Sequence, residues 1–193
     1  MTPSTLAATF PIRVANVRAL GAVGILAAPM LLFSVPFLET SSATSSRIAA
    51  ALGMLFLFGW LCSALGLRLL RVTGSSAASK FAFVIQLLGL TLAAAQQVQD
   101  MIYANQIPSN VFYQICNAAW PLSVLFMLVI GAMALRAGVW AGWHRFTPLL
   151  CGLALPLMFL LRAVWGREVG VFFFGIYTTI AWALLAFAVR NAD

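Results

Sequence analysis

Six long apolar runs, separated by short polar stretches, set the pattern of this chain. They cover about 17–38, 48–70, 81–102, 118–136, 146–165 and 169–189. A helix needs about 20 mostly apolar residues to cross a bilayer core, and each run is close to that length. In hydrocarbon the backbone amides must pair within their own segment, which selects helices. The pattern therefore predicts an all-α fold: a polytopic integral membrane protein whose six transmembrane helices form one bundle and one domain over residues 1–193.

The first run follows Arg18 and precedes ETSSATSS, an outline that resembles a secretory signal, but its apolar length exceeds the roughly 7–15 residues of a signal core. It is expected to be a retained helix. Pro29 and Pro36 lie inside it and are expected to kink it. Pro121 is expected in the first turn of the fourth helix, where its missing N–H has no partner to lose. Pro148 falls near the start of the fifth run and Pro156 inside it. GSSAAS at 74–79 is expected to be a flexible connector.

Composition strengthens the membrane assignment. The chain of 193 residues is 63% hydrophobic and 8% charged, where soluble domains carry about 25% charge. Its mean hydropathy is +1.02. Six spans use roughly two-thirds of such a length, which leaves no room for a soluble catalytic domain.

The net charge of +7 bears on topology. With the N-terminus cytoplasmic, that side holds Arg13, Arg18, Arg68, Arg71, Lys80, Arg136, Arg145 and Arg190, and the opposite side holds Arg47, Arg162 and Arg167. The excess of cations on one side places both termini in the cytoplasm. No basic run points to nucleic acid, which is not expected as a partner. Compact six-span chains with short loops fit a bacterial cytoplasmic (inner) membrane.

The third run, FAFVIQLLGLTLAAAQQVQDMIY at 81–103, contains the candidate site. Projected at about 100° per residue, Gln86, Gly89, Ala93, Gln96, Gln97, Asp100 and Tyr103 share one stripe, while Gln99 points the other way. Polar groups in hydrocarbon are costly, so the stripe should face protein or a water-accessible cavity. It is either a packing seam between helices or the wall of a pocket near the outer membrane face. Arg162, at the end of the fifth span, is expected at the depth of Asp100 and is the candidate to pair with it. Asn105, Asn110, Tyr113, Gln114 and Asn117, with Trp120 and Trp165, would form a polar and aromatic rim. Such a rim suits an amphipathic molecule.

Other residues carry less. Trp140 and Trp143 fall at the opposite interface, while Trp60 and Trp182 lie mid-span and are expected to fill the core. Cys62 and Cys151 read as small buried hydrophobes. With one histidine, His144, and few acids, no metal or haem cofactor is expected. Ala49 with Gly53, and Ala134 with Gly138, show spacing suited to close helix packing.

The expected function is non-enzymatic binding or passage of a small amphipathic or lipid-like molecule near the outer ends of spans 3–6. Gln86, Gln96, Gln97, Asp100, Tyr103, Tyr113, Trp120, Arg162 and Trp165 are the candidate ligand residues. Membrane lipids are expected partners. One alternative is a structural or regulatory subunit whose stripe packs on a partner helix or on a second copy. Another is an enzyme using Asp100, for which no second catalytic group is evident.

Overall fold

The computed structural model describes residues 10–38, 42–104, 106 and 108–192, with side chains from Asn16 onward. The side chain of Arg13 and all of Asn105 lie outside the described residues. Among the described residues, seven α-helices follow one another: α1 (Phe10–Ala27), α2 (Met30–Leu38), α3 (Ala43–Leu69), α4 (Ala77–Tyr103), α5 (Val111–Ala137), α6 (Thr147–Trp165) and α7 (Arg167–Arg190). A 3₁₀ turn at His144–Phe146 leads into α6. Among the described residues, six segments are long and apolar enough to cross a membrane, with α1 and α2 together supplying the first, Asn16–Leu38.

Pro29 explains the break between α1 and α2. It has no N–H to give to the carbonyl of Ile25, so the ladder loses one rung there. The flanking bonds Ala28 N–H to Gly24 O (3.0 Å) and Phe33 N–H to Pro29 O (3.1 Å) carry the helical path across the break. Pro36, by contrast, sits inside α2.

Successive segments pack side by side in chain order, and α7 closes the ring against α1 and α2. Small residues set the close approaches. A Cβ on Gly24 would collide with the Ser63 hydroxyl of α3 and with Ala186 of α7. One on Gly131 of α5 would lie 2.7 Å from the backbone N and Cα of Leu149 on α6. One on Gly152 of α6 would lie 2.5 Å from the backbone N of Leu128 on α5. Backbone thus meets backbone along the α5–α6 seam, as small residues allow in membrane bundles.

The centre of the bundle is aromatic. Trp60 of α3 is fully buried and meets Trp182 of α7 edge to face, with ring centroids 4.9 Å apart. Phe56 packs on Trp182 at 5.4 Å. Such tilted arrangements suit the ring quadrupoles. The mid-span tryptophans fill the core.

Three local expectations need correction. Segment 74–79 is a hydrogen-bonded corner. Ser76 caps α4 by accepting from Ser79 N–H at 3.2 Å, and the buried hydroxyls of Thr73 and Ser79 pair at 2.5 Å. Gly138 makes no close packing with Ala134's neighbours; it is the left-handed C-cap of α5, at φ +63°, with open space around it. Pro121 does not lie in the first turn of its helix. Asn110 accepts from Tyr113 N–H at 2.7 Å and starts α5 well before it. A proline inside a helix leaves the carbonyl four residues back, here Asn117, without its usual donor.

Candidate functional site

Two cavities divide the polar stripe of α4. The first, about 630 Å³, is an apolar groove between α4 and α5 with Gln86, Gly89 and Ser123 in its wall. Gln86 is buried and donates from Nε2 to the Ser123 carbonyl at 3.4 Å, while its Oε1 has no hydrogen-bond partner. Gly89 leaves room for the Ser123 side chain.

The second cavity, about 590 Å³, lies at the Asp100 end of the bundle. Its polar wall holds Gln96, Gln97, Asp100, Tyr113 and Asn117. Leu31, Phe37, Leu155, Met158 and Phe159 supply apolar walls, with Trp120 beside them. Ala118 of α5 borders both spaces, while the fully buried Ala93 of α4 borders neither. The two are similar in size, but the polar groups of the stripe converge in the second. Its size falls in the roughly 300–1,000 Å³ range of small-molecule sites.

The polar wall is a connected network. Gln97 Nε2 donates to Gln96 Oε1 at 2.8 Å. Gln96 Nε2 donates to Asp100 Oδ2, and Tyr113 O–H donates to Asp100 Oδ1 at 2.8 Å. Residues 96 and 100 stand one turn apart, so their side chains meet on the same face. Tyr113 is brought in by the Asn110 cap, which fixes the first turn of α5 next to the last turn of α4. Gln97 leans toward α3, where Gly53 makes space: a Cβ there would lie 2.6 Å from Gln97 Oε1. The Ala49–Gly53 spacing therefore admits a polar side chain as well as a helix.

Of the nine candidate residues, Gln96, Gln97, Asp100, Tyr113 and Trp120 line this cavity, and Gln86 lines the groove. Tyr103 and Trp165 are exposed and line neither. The expected pairing of Asp100 with Arg162 is not formed. Both carboxylate oxygens are engaged by Gln96 and Tyr113. Arg162 is exposed at the end of α6, where a Cβ on Gly170 would lie 2.8 Å from its own Cβ. Its place is at the α6–α7 turn, one turn beyond the cavity-lining Met158 and Phe159.

The expected location among spans 3–6 is also corrected. The wall is drawn from α2, α3, α4, α5 and α6, and α7 contributes no lining residue. The start of α7 instead backs the site: Phe174 meets Trp120 edge to face at 5.7 Å. The α2 and α3 wall residues Leu31, Ser34 and Ala50 escaped sequence reasoning, and Ala49 and Gly53 carried a signal only through their small-residue spacing. Comparison with protein-family models, curated proteins and solved structures found no match.

Proposed function

We propose that this chain is a non-enzymatic integral membrane protein that binds, or passes, a small amphipathic molecule in the cavity at the Asp100 end. The observation that supports this reading is the division of one cavity into a hydrogen-bonded polar wall, Gln96–Gln97–Asp100–Tyr113, and an apolar remainder. A head group would sit against the first and a hydrocarbon body against the second. A seam built only for packing would bring those side chains into van der Waals contact with a neighbouring helix.

The reading is tested by photolabelling in membranes with an alkyl diazirine amphiphile. Adducts are expected on Leu31, Met158, Phe159 or Trp120, with saturation at increasing probe. Labelling spread evenly over the exposed faces of α4 and α5, with no saturable component, would contradict it.

We further place the protein in a bacterial inner membrane with both termini cytoplasmic, on the asymmetry of Lys and Arg between the two bundle ends. The cavity then opens toward the outer leaflet. A phosphatase reporter fused at the C-terminus is expected to be silent and a cytoplasmic fluorescent reporter active; the reverse would overturn this orientation.

The second reading, a subunit that packs on a partner helix, draws on a different feature. It rests on the buried and unpartnered Gln86 Oε1 beneath the exposed groove between α4 and α5.

A further inference from the structure

We propose that the head group taken by this cavity is a cation, a protonated amine or quaternary ammonium carried on an apolar body. The inference rests on the binding reading above and names the ligand class for that site.

The first support is charge. Among the described residues, the cavity is lined by one carboxylate, Asp100, and by no Lys, Arg or His. The cation expected to offset it, Arg162, is not among the lining residues and does not contribute a bond to either carboxylate oxygen. A half-buried charge among apolar side chains is costly unless it is paired. An incoming cation would remove that cost, and an anion would add to it.

The second support is the direction of the hydrogen bonds. Gln97 donates to Gln96, Gln96 donates to Asp100, and Tyr113 donates to Asp100 from the other side. Each of these three bonds runs toward the carboxylate. Such chains polarise in one sense, so the negative end gathers at Asp100.

The third support is what the network leaves over. An ionised carboxylate offers about four lone-pair directions, and two are used. Gln97 Oε1 faces the space beside Gly53. The Asn117 carbonyl lacks its usual helical donor because of Pro121, and both residues line the cavity. Ser34, which could have donated, gives its hydroxyl to the Leu31 carbonyl at 2.6 Å. The wall thus keeps acceptors at Asp100, at Gln97 Oε1 and at the Asn117 carbonyl that an incoming donor can meet. The aromatic ring of Trp120 lies in the same wall and can face an ammonium directly.

The test uses the full-length protein in nanodiscs of neutral phosphatidylcholine and three water-soluble probes with one tail: hexylammonium, hexanol and hexanoate. Binding is followed by isothermal titration calorimetry. Hexylammonium is expected to bind saturably, one per chain, at least about tenfold more tightly than hexanol, a gap of about 1.4 kcal/mol. Hexanoate is expected to bind more weakly than either.

Asp100→Asn should erase the preference for the ammonium. Asn117→Lys should do the same by adding a cation to the wall while leaving the bonds to Asp100 in place, so the result does not depend on how well Asp100→Asn folds. Tightest binding of hexanoate, or an ammonium preference that survives both substitutions, would overturn the inference. Equal binding of hexanol and hexylammonium, both lost in Gly53→Leu, would also overturn it while leaving the cavity as a binding site. Binding of all three probes unchanged by Gly53→Leu would overturn the binding reading itself, and the cation inference with it.

Discussion

Gly131→Val is expected to destabilise the bundle by about 3 kcal/mol, measured as a shift in the unfolding midpoint when SDS is titrated into mixed micelles. Helix propensity alone would predict the opposite sign, because valine is better than glycine in a helix interior by a few tenths of a kcal/mol. Sterics decide the outcome. A Cβ at position 131 would lie 2.7 Å from both the backbone N and the Cα of Leu149, and 2.9 Å from its Cβ. No rotamer change can move a backbone atom away, so α5 and α6 must separate. In a membrane that separation is expensive, because helix association there depends on van der Waals packing, with no water to drive apolar faces together. Ala132→Val, at the exposed neighbouring position, is the control and should leave the midpoint within about 0.5 kcal/mol of the parent.

The six apolar helical segments were legible because an apolar run of membrane length is a strong signal. Two starts were missed by the most: α1 begins at Phe10 and α5 at Val111, each well before its apolar run. The fourth run carries the consequence. Its helix starts at Val111, whereas Tyr113, Gln114 and Asn117 read as loop residues and Pro121 as a first-turn proline. The overlooked signal was Asn110, a good N-cap residue placed directly before Val111 and Phe112. Because α5 begins there, polar residues that seemed to form a loose rim are fixed on a helix, and Tyr113 can reach Asp100. Likewise, the connector after α3 looked flexible by composition, yet its serines cap and pair with one another.

The polar wall of the cavity was legible for a related reason. Carboxylate and carboxamide groups are rare in apolar helices, and their spacing at 96, 97 and 100 puts them together on one face. The opposite walls carried no such mark. Leu31, Ala49, Ala50 and Leu155 are ordinary membrane-helix residues, and their role follows only from the ring arrangement that brings α2, α3 and α6 to the same end. Nor did the stripe reveal its own division. Gln86 and Asp100 share a face of α4, yet Gln86 borders the groove against α5 and Asp100 borders the second cavity.

Gly53→Leu is expected to fold and to abolish ligand retention. It differs from Gly131→Val in what the added side chain meets. At position 53 the nearest atoms belong to the end of the Gln97 side chain, with Oε1 at 2.6 Å and Cδ at 3.0 Å from an added Cβ. That amide can swing aside at low cost, because the tip of a long side chain has other rotamers. Its movement detaches Gln97 from Gln96, and the leucine then occupies the space beside Asp100. Stability should change by no more than about 1 kcal/mol, since the cavity has room for the new side chain, while affinity for any occupant should fall at least about tenfold. One glycine is thus expected to be intolerant because it faces backbone, and the other tolerant because it faces a flexible tip beside an open space.

The central claim is that the cavity holds a molecule, and native mass spectrometry of the protein released from its own membranes tests it most directly. Wild type is predicted to carry a non-covalent adduct of small-molecule mass at up to one per chain, and Gly53→Leu to appear at the bare protein mass under the same release energy. A wild-type protein that carries no such adduct, or an adduct retained equally by Gly53→Leu, would contradict the claim.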